Sequence, residues 1–242
     1  MLSANDKDKG YVLATEVQKD DGPFYCPECE GELILKQGRV KIAHFAHLSD
    51  ADCSYAGEPE SEEHIAAKLE IYEALRAQPG VEKLRVERYL KEVRPDISFY
   101  FNGNYIAIEI QISPLSFEKF VSRTTEYARK NIYVLWTPIL PRDMFSERYA
   151  PKDWERNIYN LYDGIIYYWT KGLDLVPVEF EEYMLTPGRY STWSEKVSTR
   201  FISPRMDPPV SILELSPLQQ PRRYPYPAAR LWGLPFDDDD DD

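Results

Sequence analysis

Three cysteines and two of the three histidines fall between residues 26 and 53, as Cys26-x2-Cys29, His44-x2-His47 and Cys53. Thiolate and imidazole are the usual ligands of a structural zinc ion. Cys26-Pro27-Glu28-Cys29 forms a short knuckle in which two sulfurs can meet one ion at ~2.3 Å. Glu32–Lys36 and Arg39–Ala43 read as two strands around Gln37-Gly38, a hairpin that returns the second pair of ligands beside the first. Four ligands suffice and five are present. Cys26, Cys29 and His47 form the core of the set, and His44 or Cys53 supplies the fourth. No HExxH helix accompanies them, so the expected zinc is structural, in a module too small to hold a core of its own.

A second constellation is acidic. Arg94-Pro95-Asp96 is followed, twelve residues on, by Glu109-Ile110-Gln111. Asn102-Gly103-Asn104 between them is a turn signal. In a hairpin closed there, position 96 faces roughly position 110, so Asp96 and Glu109 reach one end of a sheet where a divalent cation could bind. Ile106, Ile108 and Ile110 alternate with Ala107, Glu109 and Gln111. Polar groups on so apolar a strand require a polar purpose.

The elements that must position these groups follow from periodicity. Glu60–Ala77 repeats apolar residues at helical spacing (Ile65, Leu69, Tyr72, Leu75), with Ser61 as N-cap and Pro79-Gly80 as stop. Val81–Lys91, Val93–Phe101 and Tyr105–Ile112 read as strands, Ser116–Lys130 as a helix, and Ile132–Trp136 as a buried parallel strand. The order is α-β-β-β-α-β, an α/β core.

Pro95-Asp96, a hairpin and Glu109-x-Gln111 resemble the PD-(D/E)xK nuclease signature, with Gln in the usual Lys position. Arg123-x3-Tyr127 is similar to the Gln-x3-Tyr element of exonuclease-like members. More narrowly, Cys26-Pro-Glu-Cys29, His44-Phe-Ala-His47, Glu60-Ser-Glu-Glu-His64-x3-Lys68, Arg94-Pro-Asp96, Ile108-Glu-Ile-Gln-Ile-Ser113 and the Arg123–Trp136 stretch resemble the CoiA competence family, over roughly residues 20–185. The resemblance implies a restriction-endonuclease-like core and metal-assisted hydrolysis of DNA, in DNA processing or recombination. Asp96, Glu109 and the Ile110 carbonyl would hold Mg²⁺ or Mn²⁺, which would activate a water. Glu63 stands for the acid of the first core helix. Gln111 can orient water but cannot replace an amine, and Lys68 could bring an ammonium to the same site.

Net charge is −12, from 41 acids against 29 Lys and Arg. That argues against bulk attraction to nucleic acid, yet six of the acids form the run Asp237–Asp242, and without them the balance is −6. Any DNA contact must therefore be local. Lys36, Arg39 and Lys41 on the ribbon, Arg85, Arg88, Lys91 and Arg94 before Asp96, and Lys119, Arg123, Arg129 and Lys130 on the second helix are the candidates, with Tyr127 beside them. No base-reading motif is present.

The remaining expectations are coarser. Residues 1–57 hold a polar lead-in with a short strand at Tyr11–Thr15 and a zinc-ribbon-like module, 58–185 the nuclease-like domain with a Pro-bounded loop after Trp136 and an aromatic hairpin around Lys171-Gly172, and 186–242 an irregular Pro-rich arm with an acidic tail. Tyr159, Tyr162, Tyr167, Tyr168 and Trp169 either stack on bases or fill a core. With no apolar leader, no spanning segment and few cysteines, the expected setting is the cytoplasm. Besides a nuclease, the residues allow a catalytically inactive DNA-binding or recombination-partner module, or a protein–protein adaptor.

Overall fold

Period-two burial sets up the first sheet. In the strand Glu32–Lys36, Leu33 and Leu35 turn inward while Glu32, Ile34 and Lys36 face out. With β1 (Ser3–Asp6), β2 (Gly10–Leu13), β3 (Phe24–Tyr25) and β5 (His44–His47), this β4 makes a sheet in the order β2-β1-β3-β4-β5. The sheet curls back on itself, for the Phe45 N–H donates to the Met1 carbonyl at 2.8 Å. Phe24, Phe45, Leu33, Leu35 and Val12 form its core. The computed structural model describes residues 1–242 except 9, 39–40, 49–52, 54–59, 190–193, 224 and 236–242.

Two expectations change here. The lead-in expected ahead of Tyr11 contains a strand, β1, while the short strand anticipated at Tyr11–Thr15 forms as β2, shifted to Gly10–Leu13. The strand expected at Arg39–Ala43 lies instead at His44–His47, joined to β4 by a longer connection than Gln37-Gly38. Arg39 and the Asp237–Asp242 run lie outside the described residues.

Helix α1 (Glu62–Arg76) starts at Ser61, whose hydroxyl accepts the His64 N–H at 3.2 Å. It buries Ile65, Ala67, Ile71 and Leu75. Strands β6 (Glu82–Val86), β7 (Ile97–Phe101) and β8 (Asn104–Gln111) follow as an antiparallel meander. Asn102 and Gly103 both take positive φ, 48° and 75°, the two-residue turn their sequence signals. Helix α2 (Phe117–Arg129) crosses over to β9 (Tyr133–Pro138), parallel to β8. The α-β-β-β-α-β order is thus present.

The last third departs from expectation. Helix α3 (Asp153–Leu161) stands where a loop was expected. The hairpin of β10 (Ile166–Lys171) and β11 (Asp174–Leu185) forms as anticipated. Its aromatic residues Tyr167, Tyr168 and Trp169, with Tyr162 at the end of α3, are buried in the core, and Tyr159 is half-buried against Phe180, so they are not displayed for bases. Residues 186–242 are not an irregular arm. They supply β12 (Lys196–Met206), β13 (Val210–Ser211), β14 (Ser216–Gln220) and β15 (Ala229–Gly233). β15 pairs parallel with β9 and completes a six-stranded sheet, β14-β15-β9-β8-β7-β6. Proline misleads here because it falls where a sheet tolerates it. Pro204 and Pro217 sit in the edge strands β12 and β14, and β15 has none.

One core runs from Ala67 to Trp232 and crosses the expected boundary at 185. Among the described residues, no helix is long and apolar enough to cross a membrane. Leu231 is fully buried at the β15–β9 contact. Leu231→Ala should therefore cost about 2–5 kcal/mol, read as a lowered urea midpoint with unchanged slope; an unchanged midpoint would show that β15 is not part of the core.

Candidate functional site

Strand geometry chooses among the five zinc-ligand candidates. His44 and His47 are three apart on β5, so they point to opposite faces. Cys26, Cys29, His47 and Cys53 bring their ligand atoms within 4.8 Å of one another. Cys26 Sγ and Cys53 Sγ are 4.0 Å apart, and Cys29 Sγ and His47 Nε2 are 3.5 Å apart. A tetrahedral ion with ~2.3 Å Zn–S bonds spaces its sulfurs ~3.8 Å apart, so the four fit one ion. His44 is not among them; its Nδ1 lies 2.8 Å from the Ile42 carbonyl.

The knuckle is held by its backbone. The Glu28 N–H points to Cys26 Sγ at 3.4 Å, the Cys26 N–H donates to the Gly31 carbonyl, and Glu30 takes a positive φ of 58°. A Cβ on Gly31 would press on Cys29 Sγ at 3.3 Å. Burial, and next the charge of Arg94, lower the pKa of His47, which favours the neutral imidazole a metal needs.

The acidic site forms where β7 begins and β8 ends. Ile97 pairs with Ile108, which sets Asp96 across from Glu109, one residue from the expected register. Asp96 Oδ2 accepts the Ile110 N–H at 2.8 Å and lies 3.1 Å from His64 Nε2. His64 Nδ1 is 2.9 Å from Glu60 Oε1. Glu60, His64 and Asp96 therefore offer ligand atoms within 4.8 Å of one another.

Lys68, 1% exposed, sits one turn further along α1. Its ammonium bonds Glu60 and Glu87, the latter at 2.6 Å, and lies 3.6 Å from Asp96 Oδ1. Glu87 takes a positive φ of 52°, which turns its carboxylate inward to Lys68, Arg94 and the Leu2 N–H.

Glu109, 2% exposed, faces α2, where Arg123 and Tyr127 both donate to its Oε1. Arg123 also reaches the Arg94 carbonyl at 3.2 Å. The two acids consequently differ. Burial would raise Asp96, but His64, Lys68 and the Ile110 N–H outweigh it and hold it at about 2. Burial raises Glu109 to about 7 against the pull of Arg123, with the charge of Asp96 adding to the rise. Burial would lower His64, but Asp96 and Glu60 carry it up to about 9.

Asp96, Glu109, Ile110 and Lys68 are thus assembled at one sheet end. Glu63 is not; it is exposed on the first turn of α1, and Glu60 stands in the position expected of it. Gln111 turns its amide to the Ser113 carbonyl. Three expected DNA contacts hold the site together instead: Arg94 pairs with Glu87, Arg123 with Glu109, and Tyr127 is fully buried. Arg88 and Lys119 remain at the surface, half-buried and exposed. Glu60, Glu87 and His64 escaped a role in sequence reading. The Glu60-x3-His64-x3-Lys68 spacing, which puts His64 and Lys68 on one face of α1 and Glu60 just ahead of it, was the available signal for Glu60 and His64; none marked Glu87.

Residues 60–152 match the family described as competence protein CoiA, nuclease-like domain, and residues 10–56 match competence protein CoiA, N-terminal domain. Competence protein CoiA of Bacillus subtilis (strain 168) is 33% identical over 115 residues, covering 47% of this chain and 30% of that relative. The match thus spans less than a third of the relative's length. No solved structure matches.

Two tests follow. Cys53→Ser should lower metal content by elemental analysis while His44→Ala leaves it unchanged. With no divalent cation added, the raised His64 stabilises the fold fully below pH ~6.5, and that contribution fades as pH rises through about 9. Urea stability should fall by up to about 3 kcal/mol across that interval, and His64→Gln should abolish this slope.

Proposed function

We propose that this chain, similar to CoiA competence proteins over residues 10–56 and 60–152, is a metal-dependent nuclease that hydrolyses DNA phosphodiester bonds during DNA processing or recombination. The supporting observation is the pairing of two unlike carboxylates, Asp96 half-buried and Glu109 buried, across the β7–β8 hairpin. Asp96 is held ionised and oriented by the Ile110 N–H, and Glu109 is pinned by Arg123 and Tyr127.

Mg²⁺ or Mn²⁺ would be held by Asp96 and Glu109, with the Ile110 carbonyl, Glu60 and His64 close by. These donors suit a hard cation, and burial has left Glu109 short of the positive charge that a cation brings. When bound, such an ion activates a water and offsets charge developing on the phosphate. The chain's own groups do the positioning. Arg123 and Tyr127 fix the Glu109 carboxylate, and His64 fixes that of Asp96. Lys68 supplies positive charge beside Asp96 in place of the lysine missing at Gln111. The Cys26–Cys29–His47–Cys53 cluster is read as a structural zinc site, with thiolates and imidazole matching that ion.

One observation favours a second reading, a DNA-binding or recombination-partner module without catalysis. Lys68 already fills the space among Glu60, Glu87 and Asp96, and Gln111 is engaged with Ser113. A cleavage assay on plasmid and single-stranded DNA separates the two. Cleavage should require added Mg²⁺ or Mn²⁺, and Asp96→Asn or Glu109→Gln should lower it about 100-fold or more. DNA left uncut with either metal would remove the nuclease reading.

A further inference from the structure

Of the cations expected to meet DNA, Arg94 and Arg123 are consumed by carboxylates, whereas Arg85 and Arg88, with Lys83 beside them, are not. Lys83, Arg85 and Arg88 make no salt bridge among the described residues, in a chain of net charge −12. Each is instead laid against an aromatic ring. Lys83 Nζ is 4.9 Å from the Tyr100 ring, Arg85 4.4 Å from Tyr11 and Arg88 5.8 Å from Tyr105. Tyr100 and Tyr105, partners across the β7–β8 hairpin, are stacked at 4.5 Å with 1° between their planes.

The backbone builds this arrangement. β6 is an edge strand whose register shifts between Glu82 and Arg85, where Lys83 takes a positive φ of 52°. Glu87 takes the same conformation at the strand's end, so it points inward while Arg88 lies outward over Tyr105. Tyr11 is pinned by its hydroxyl, which accepts the Val86 N–H at 2.7 Å and donates to the Val86 carbonyl at 3.0 Å. Between the N-terminal sheet and β6 lies a groove of about 390 Å³, lined by Lys83, Arg85, Arg88, Tyr11 and Tyr89. Glu87, in its wall, bonds the Lys68 that lies beside Asp96.

We propose that this groove binds a single nucleic-acid strand and leads it to the Asp96 site; this rests on the nuclease reading and names its substrate as unpaired. Three cations without carboxylate partners fit successive backbone phosphates. The rings that carry them restrict the side chains before binding, which reduces the ordering cost. Guanidinium and tyrosine faces accept bases without reading sequence. A groove of this size admits a nucleotide-sized ligand and not a duplex.

The test is fluorescence anisotropy with a labelled oligothymidylate and a duplex of equal length, with no Mg²⁺, Mn²⁺ or chelator added, so that the thiolate site is undisturbed. Lys83→Gln/Arg85→Gln/Arg88→Gln should weaken strand binding about tenfold or more, and flatten the slope of log affinity against log salt by about 2. Arg142→Gln/Arg200→Gln/Arg222→Gln, which removes equal charge elsewhere, should leave binding as in wild type. Equal loss in both variants, no loss in the first, or tighter binding of the duplex would overturn the proposal. Should the groove variant fail to fold, photocrosslinking of wild type to a 4-thiothymidine strand decides, with adducts expected at Tyr11 or Tyr89 and adducts confined to other peptides refuting it. Binding that depends on the groove, in a protein that cuts nothing with Mn²⁺, would remove the nuclease reading and uphold the groove.

Discussion

A buried ammonium organises this protein. Lys68 is withdrawn from water on the inner face of α1, and that costs several kcal/mol unless the charge is matched. Glu60, Glu87 and Asp96 match it, and each acid requires partners of its own: His64 for Glu60 and Asp96, Arg94 and the Leu2 N–H for Glu87, and the Ile110 N–H for Asp96. Burial would lower the pKa of Lys68, but these carboxylates raise it instead, so the ammonium stays charged. Removing one member leaves an uncompensated charge in a low dielectric, which is why α1, β6, β7 and β8 are held in one arrangement.

The same network ties the two halves of the chain together. Leu2 and Leu13 of the N-terminal sheet pack with Ile65, Tyr72 and Val86 of the α/β core. The Leu2 N–H reaches Glu87, and the Tyr11 hydroxyl occupies both free backbone groups of Val86 on the edge strand. His47 lies on β5, whose Phe45 is bonded to Met1, the residue before Leu2. The thiolate cluster is thus a few bonds from the acidic site, and the groove between the two modules exists only because they dock.

Motifs with local physics were legible. Ser61 caps α1 because its hydroxyl meets an N–H three residues on, and Asn102-Gly103 turns the hairpin because both residues tolerate positive φ. Charge was read less well. Arg94, Arg123 and Tyr127 looked like contacts for phosphate, yet each meets a carboxylate, or stands beside one, that sequence does not reveal as buried. The C-terminal strands were hidden for a related reason. β15 pairs with its neighbour β14 but joins the core through β9, a partner nearly a hundred residues away, and neither its length nor its proline-rich flanks announce it.

By itself the sequence determined the core elements and their α-β-β-β-α-β order, the hairpin that brings Asp96 and Glu109 together, and the set from which the thiolate cluster is drawn. These rest on periodicity and turn chemistry, which act over a few residues. Tertiary structure decided the rest: Cys53 rather than His44 in the thiolate cluster, Glu60 rather than Glu63 beside Asp96, and Lys68 as the buried charge. Those choices turn on which face of a strand or helix meets another element, and on which charges lose water together. That is a property of packing, and no single segment carries it.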